Sequence, residues 1–348
     1  MRNFREHLIQ AHTDIRSALI RLDKLAKDAI LFVVDEQGRL IGSLTDGDVR
    51  RALIKGVSID KEVDQIIQPN PKYLRKGQND IDKMILYREG NYRILPILDK
   101  AREVVNVVNF REVRSYLPVD AVIMAGGRGQ RLRPLTDDVP KPLLKVGKKP
   151  IMEHNLDRLV RFGIDDFWVS VKYLGNQIVD YFGNGRSKNI QINYIWEDEP
   201  LGTIGAVSKI ENFKHDYVLI TNSDLLTNLD YEDFFIDFIH KDADLAVATI
   251  PYEVNVPYAV LETIDGLVKD FREKPTYTYY SNAGIYLMKK SVLQRIPKDQ
   301  FFNATDLMES LIHNEHKVIS YPLIGYWLDI GKHEDYQKAQ KDIAQIKF

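Results

Sequence analysis

Residues 119–151 read VDAVIMAGGRGQRLRPLTDDVPKPLLKVGKKPI. The run VDAVIM is nearly all apolar, as a strand covered on both faces must be. It ends in Ala125 and the glycines Gly126, Gly127 and Gly129. Without side chains, glycines let backbone N–H groups approach a polyphosphate closely. Arg128, Arg131 and Arg133 follow at once, and arginine donates bidentate, charge-assisted bonds to phosphate. Pro140-Lys141-Pro142 then fixes a lysine on a stiff turn. The glycine spacing alone is weak evidence, being neither a Walker A loop nor a full dinucleotide fingerprint. Its cationic continuation points to a nucleoside triphosphate under attack.

Downstream, strand-like and helix-like patterns alternate. Candidate strands are 166–171, 190–195, 217–221 and 245–250, and candidate helices are 151–162, 176–182 and 231–240. This predicts an α/β domain with a mainly parallel sheet and a site at the strands' carboxyl edge. Asp224 in NSDL, just past the apolar YVLIT, falls on that edge.

Upstream lies a repeat. Residues 29–53 (AILFVVDEQGRLIGSLTDGDVRRAL) align with 92–117 (YRILPILDKAREVVNVVNFREVRSYL), Asp35 falling on Asp99 and Asp48 on Glu112. Each copy reads as strand, tight turn, strand and helix start. The predicted domains are 1–117 and 118–348, joined near Pro118 with no long linker, so the two can pack together.

Composition narrows the classes. Across 348 residues, 44% are hydrophobic and 28% charged, as in ordinary globular proteins, and two or three domains are expected. A net charge of −2 gives no electrostatic case for nucleic acid. The absence of cysteine excludes disulfides, thiolate metal sites and cysteine nucleophiles. The opening MRNFREHLIQ lacks the apolar run of a signal peptide, and no stretch approaches the length of a membrane span. A cytoplasmic protein is expected.

The run from Gly127 to Thr136, followed by Pro140-Lys141-Pro142, resembles the sugar-1-phosphate nucleotidyltransferases, also called sugar-nucleotide pyrophosphorylases. Further segments match in the same order over most of residues 119–338: LGTIGA (201–206), NSDL (222–225), EKP (273–275), SNAG (281–284) and WLDIG (327–331). The resemblance implies a Rossmann-like (GT-A-like) domain with a mainly parallel mixed sheet. It implies that Ala125, Gly126, Gly127, Gly129, Gly202 and Thr203 hold the nucleotide. Asp224 and Asp329 would bind Mg²⁺, whose preference for carboxylate, phosphate and water oxygens suits the residues. Arg131 and Lys141 would hold triphosphate charge, Lys274 the sugar phosphate, and Glu273, Asn282 and Gly284 the sugar. The aromatic cluster Tyr277, Tyr279 and Tyr280 has no assigned role, an interface and a pocket rim both remaining open.

The base-reading residue, five positions before Gly202, is Glu197. An ionised carboxylate only accepts, and guanine presents two adjacent donors, so GTP is favoured. The alternative is a solvent-facing carboxylate within the acidic run 197–199. LGTIGA also resembles the guanylyltransferase branch, which implies a mannose, glucosamine, heptose or related hexose 1-phosphate as acceptor. Rival readings are a uridylyl-, thymidylyl- or cytidylyltransferase, or a non-catalytic nucleotide sensor.

The front repeat resembles a tandem pair of cystathionine-β-synthase (CBS) domains. Residues 42–48, GSLTDGD, match that family's signature, which implies that Thr45 and Asp48 contact the ribose of an adenine or guanine nucleotide. The second copy carries Asn109 and Glu112 at these positions. Thr45 and Asp48 equally suit a helix cap. Tandem CBS modules commonly pair, so a homo-oligomer is expected.

Overall fold

The computed structural model describes residues 4–345, so the first three residues of MRNFREHLIQ and the last three of the chain lie outside it. Its centre is a seven-stranded sheet in the order Gln191–Trp196, Asp166–Val171, Val119–Met124, Tyr217–Asn222, Thr276–Lys289, Leu245–Asn255 and Val318–Pro322. The first four are mutually parallel, and Thr276–Lys289 runs antiparallel to both neighbours. This is the mainly parallel mixed sheet expected. Val119–Met124 is buried at every residue but the last, as its nearly all-apolar run predicts for a strand between two others.

The helices cover the sheet through apolar stripes. Ile151–Arg161 buries Ile151, Met152, Asn155, Leu156, Leu159 and Val160, one face at helical spacing. Tyr231–His240 buries Phe234, Phe235 and Phe238, and the Asp230 side chain caps it by accepting from Glu232 N–H and Asp233 N–H. Elements 151–162 and 231–240 are thus found within a residue of expectation. The segment read as a strand over 245–250 runs on to Asn255, paired throughout with Thr276–Lys289.

The amino-terminal part has two small sheets. One joins Leu8–Gln10, Ile30–Val34, Leu40–Thr45 and Gln68–Pro69; the other joins Leu74–Arg75, Ile94–Leu98 and Val104–Asn109. Each copy of the repeat has its strand–turn–strand hairpin, preceded by a helix, Ile15–Leu25 or Ile81–Glu89. The first copy ends in the expected helix, Asp46–Ile54. The second does not: after Asn109 the chain turns, with Glu112 N–H and Val113 N–H donating to the Asn109 carbonyl. Arg114 N–H and Leu117 N–H then bond the carbonyls of Arg161 and Phe162, drawing the chain into the large domain before a helix can form.

The second copy shares its core with the central sheet. Leu74, Met84, Leu95, Ile97 and Val108 lie in one cluster with Ala121, Leu159 and Phe167. The first copy has its own core around Leu22, Leu31 and Leu44. Polar bonds tighten the junction. Arg88 donates twice to Glu232, both at 2.8 Å, and Lys76 lies 3.1 Å from Asp166. Burial raises the pKa of Asp165, an effect the nearby Lys76 opposes. No helix of the described residues is long and apolar enough to cross a membrane.

Candidate active site

At the carboxyl edge of the parallel strands lies a pocket of about 560 Å³. Its floor is the loop leaving Val119–Met124: Ala125, Gly126, Gly127, Gly129 and Arg131 all line it. Gly126 leaves room for the Glu197 carboxylate, since a Cβ there would lie 2.7 Å from Glu197 Oε1. Gly129 is left-handed at φ 61°, and the chain then makes a short 3-10 turn, Gln130–Leu132, which carries Arg131. A second 3-10 turn, Lys141–Leu143, buries Lys141 against the same pocket.

The opposite wall is the Gly202–Thr203 turn. Gly202 has φ 78°, and a Cβ would lie 2.6 Å from the Phe302 carbonyl oxygen, so only glycine fits. Thr203 clamps the turn to the helix Ala304–His313: its N–H donates to Asn303 Oδ1 at 3.1 Å, and Ala304 N–H donates to Thr203 Oγ1 at 2.8 Å. Between the walls sits Glu197, only 8% exposed. It does not face solvent with its acidic neighbours. Ser170 Oγ donates to one of its oxygens, and Leu201 N–H donates to the other at 3.1 Å. Each oxygen keeps a further lone pair for a ligand donor.

Asp224 lines the far end, and Asp329, not itself among the lining residues, sits beside it. The short strands Leu225–Thr227 and Trp327–Asp329 pair antiparallel, Leu225 opposite Asp329, and Ile330 N–H bonds the Asp224 carbonyl at 3.1 Å. Asp224 and Asp329, over a hundred residues apart in sequence, become neighbours. Lys141 Nζ forms an ion pair with Asp224. Burial raises the pKa of Asp329, and the charge of Asp224 adds to this, while Lys141 and Arg131 pull the other way. Two crowded carboxylates at the open edge, one disfavoured as an anion, form an oxygen donor set that suits a hard divalent cation. A separate cluster, Asp120, Asp166 and His215, is fully buried at the amino edge of the sheet, where Lys76 and Lys214 neutralise it.

The sugar-side residues divide. Gly284, at φ 74°, abuts Asn222, and a Cβ there would lie 2.6 Å from Asn222 Nδ2. Asn282 holds that turn, accepting from Gly284 N–H and donating to Tyr286 Oη, each at 2.9 Å. Glu273 and Lys274 are not brought to the pocket. They lie exposed beyond the paired ends of Leu245–Asn255 and Thr276–Lys289. Lys172 and Phe301 line the pocket without having been singled out in the sequence, and Asn222 and Ser223, matched there only as part of NSDL, line it as well. Lys172 and Asn222 directly follow or end parallel strands, and the sheet-edge rule alone points to them.

Thr45 and Asp48 form a capping box on Asp46–Ile54. The Asp48 carboxylate is buried and accepts from Thr45 N–H at 2.9 Å, Thr45 Oγ1 at 2.6 Å, Gln68 Nε2 at 2.9 Å and Arg51. Their bonds are thus spent within the module.

A Rossmann-like sheet with a glycine–arginine loop and paired carboxylates at its ligand edge defines a nucleotide-handling transferase. The chain belongs to the nucleotidyl transferase family, whose sequence model matches residues 120–346. The CBS domain model matches residues 7–55. It matches only the first copy of the repeat, so a tandem CBS pair is not established. The chain is 33% identical over 228 residues to the D-glycero-alpha-D-manno-heptose 1-phosphate guanylyltransferase of Aneurinibacillus thermoaerophilus, covering 65% of this chain and 98% of that one. It is 31% identical to the UTP–glucose-1-phosphate uridylyltransferase of Synechocystis, over 64% of this chain and 63% of the relative. The crystal structure of HddC from Yersinia pseudotuberculosis complexed with GMP-PN superposes with a TM-score of 0.50 at 28% identity, over 65% of this chain and 99% of that chain.

Proposed function

We propose that the enzyme transfers GMP from GTP to a sugar 1-phosphate, releasing pyrophosphate, with Mg²⁺ held by Asp224 and Asp329. The acceptor class is a mannose, glucosamine, heptose or related hexose 1-phosphate. The observation that carries the reading is the buried Glu197, facing the pocket between the glycine loop and the Gly202–Thr203 turn. A carboxylate there accepts from guanine N1–H and its 2-amino group, whereas uracil and thymine present only one ring donor. The guanylyltransferase relative agrees with this reading, and the uridylyltransferase relative keeps UTP as the competing donor.

In the reaction, a phosphate oxygen of the sugar 1-phosphate attacks the α-phosphorus. The new P–O bond forms as the bond to the β-phosphate bridging oxygen breaks, and that oxygen leaves with the electron pair on pyrophosphate. The attacking oxygen is already ionised near neutral pH, so no general base is needed. The residues position reactants and stabilise charge. Backbone N–H groups of the glycine loop cradle the triphosphate, Arg131 and Lys141 hold phosphate charge, and Thr203 fixes the far wall. When bound, Mg²⁺ orients the α-phosphate and offsets its charge. Lys274 and Glu273 are assigned to the sugar phosphate and sugar. The test is a matrix of five triphosphates against a panel of sugar 1-phosphates, read by pyrophosphate release. The highest turnover is expected in the GTP row; a UTP or dTTP maximum overturns the base assignment.

A further inference from the structure

Guanine presents three groups in a row along one edge: the 2-amino donor, the N1–H donor and the O6 acceptor. The Glu197 carboxylate answers the first two. An O6 taken out of water without a donor would lose its hydrogen bond, so the pocket needs a donor beside Glu197. Lys172 stands there. The parallel strands Asp166–Val171 and Gln191–Trp196 end in register, Val171 opposite Trp196, and Glu197 N–H donates to the Val171 carbonyl at 3.1 Å. Lys172 and Glu197 are therefore the first residues past two adjacent strand ends, and both line the pocket. Gly126 brings them to one point: a Cβ built on it would lie 2.7 Å from Glu197 Oε1 and 3.6 Å from Lys172 Cβ. Because Gly126 has no side chain, a flat base can rest over it with its edge against both residues.

Lys172 also has donors to give. Its side chain is only 22% exposed, so it is held against the protein rather than free in solvent. Its Nζ donates to the Asp198 carbonyl, and an ammonium carries three donors, so two remain. The Glu199 carboxylate is 3.9 Å away and 88% exposed, a pairing that water screens. Other cations of the pocket are placed elsewhere: Lys141 is paired with Asp224, and Arg128 lies over the Tyr173 ring, 5.9 Å from its centroid. An ammonium answers only an acceptor. It suits the 6-oxo group of guanine and meets the 6-amino group of adenine donor to donor. Uracil also carries an oxo group, so Lys172 acts on a different axis from Glu197. The carboxylate separates guanine from uracil, and the ammonium separates a 6-oxopurine from a 6-aminopurine.

We infer that Lys172 is a specificity-determining residue that donates to the 6-oxo group of the purine, so that the pocket takes a 6-oxopurine triphosphate and rejects ATP. The inference rests on the guanine reading of Glu197 given above. The test changes single atoms on both sides of the contact. 6-Thio-GTP keeps both guanine donors but replaces O6 with sulfur, a weak acceptor. ITP keeps N1–H and O6 but lacks the 2-amino group. The ratio kcat/KM is measured by pyrophosphate release for GTP, 6-thio-GTP and ITP, with wild type and with Lys172→Met, which keeps most of the stem and loses the ammonium. Wild type should prefer GTP to 6-thio-GTP about 10-fold, as a hydrogen bond to a charged group warrants. Lys172→Met should bring that preference to about 1 and leave the GTP-to-ITP preference unchanged. Lys172→Gln, which keeps a neutral donor, should give an intermediate value and reads the same contact if the methionine variant does not fold. A wild type indifferent to the sulfur, or a variant that loses GTP and 6-thio-GTP equally, overturns the inference and reduces Lys172 to a clamp on the Asp198 carbonyl. In that case a wild-type preference for GTP over ITP leaves the Glu197 reading standing. Equal use of GTP and ITP by wild type removes the Glu197 reading and this inference with it.

Discussion

Replacing Glu197 with glutamine isolates base recognition from folding. The carboxylate accepts from Leu201 N–H on one oxygen and from Ser170 Oγ on the other. Glutamine can keep both contacts: its carbonyl oxygen accepts from Leu201, and its amide N–H donates to the Ser170 hydroxyl, which accepts as readily as it donates. The loop should therefore hold, and the melting temperature should stay within about 3 °C of wild type, a change of roughly 1 kcal/mol. Base reading should not survive. One carbonyl oxygen, already engaged by Leu201, cannot take both guanine donors, and the amide N–H groups meet guanine donor to donor. A lost hydrogen bond to a charged group is worth roughly 1.5–3 kcal/mol, so the ratio of kcat/KM for GTP to that for UTP should fall about 10- to 100-fold. The assay is pyrophosphate release at limiting triphosphate with the best sugar 1-phosphate. An unchanged GTP-to-UTP ratio in a protein that melts normally would refute the assignment, and would reduce Glu197 to the post that holds the 197–201 turn.

Other expectations follow from the same geometry. Asp224→Asn removes one of two paired carboxylates but little packing, so kcat/KM should fall roughly 10²–10³-fold with the fold intact; near-normal turnover at limiting Mg²⁺ would exclude it as a metal ligand. Arg88→Ala leaves Glu232, whose side chain is 8% exposed, without its bidentate partner. Because the arginine is itself part-solvated, the cost should be about 2 kcal/mol rather than the full value of a buried pair, and calorimetric melting should show a loss of several degrees. Asp48→Asn should destabilise the protein by about 1 kcal/mol at pH 7 through loss of the helix cap. Burial opposes the charge on Asp48, but bonds from Thr45, Gln68 and Arg51 outweigh it and hold the pKa below the ordinary value. That contribution is present above about pH 4 and is lost as the pH falls through the lowered folded value, so wild-type and variant urea midpoints should converge in acid. A gap that stays constant down to pH 3 would mean that the carboxylate's charge is not what stabilises the cap.

The sequence by itself determined the elements whose physics is local. VDAVIM had to be a buried strand because a run apolar at every position but Asp120 has no polar face to expose. The glycines at 126, 127 and 129 announced a loop that approaches a ligand closely, and the apolar stripes of 151–161 and 231–240 specified helices against a sheet. The first repeat carried its own cap in Thr45 and Asp48, three residues apart, a spacing that closes a capping box without help from elsewhere. What only the tertiary structure decided was long-range. Asp224 and Asp329 meet because two three-residue strands pair across more than a hundred residues, and strands so short have no signal of their own. The buried state of Glu197 depends on Ser170 and Leu201, which its acidic neighbours in sequence conceal. The second repeat lost its closing helix to bonds with Arg161 and Phe162, a competition between helix and tertiary contact that alignment of the repeats cannot weigh. The separation of Glu273 and Lys274 from the pocket was equally hidden: whether a strand pair stops at its sheet or runs on past it depends on which edges its neighbours leave free.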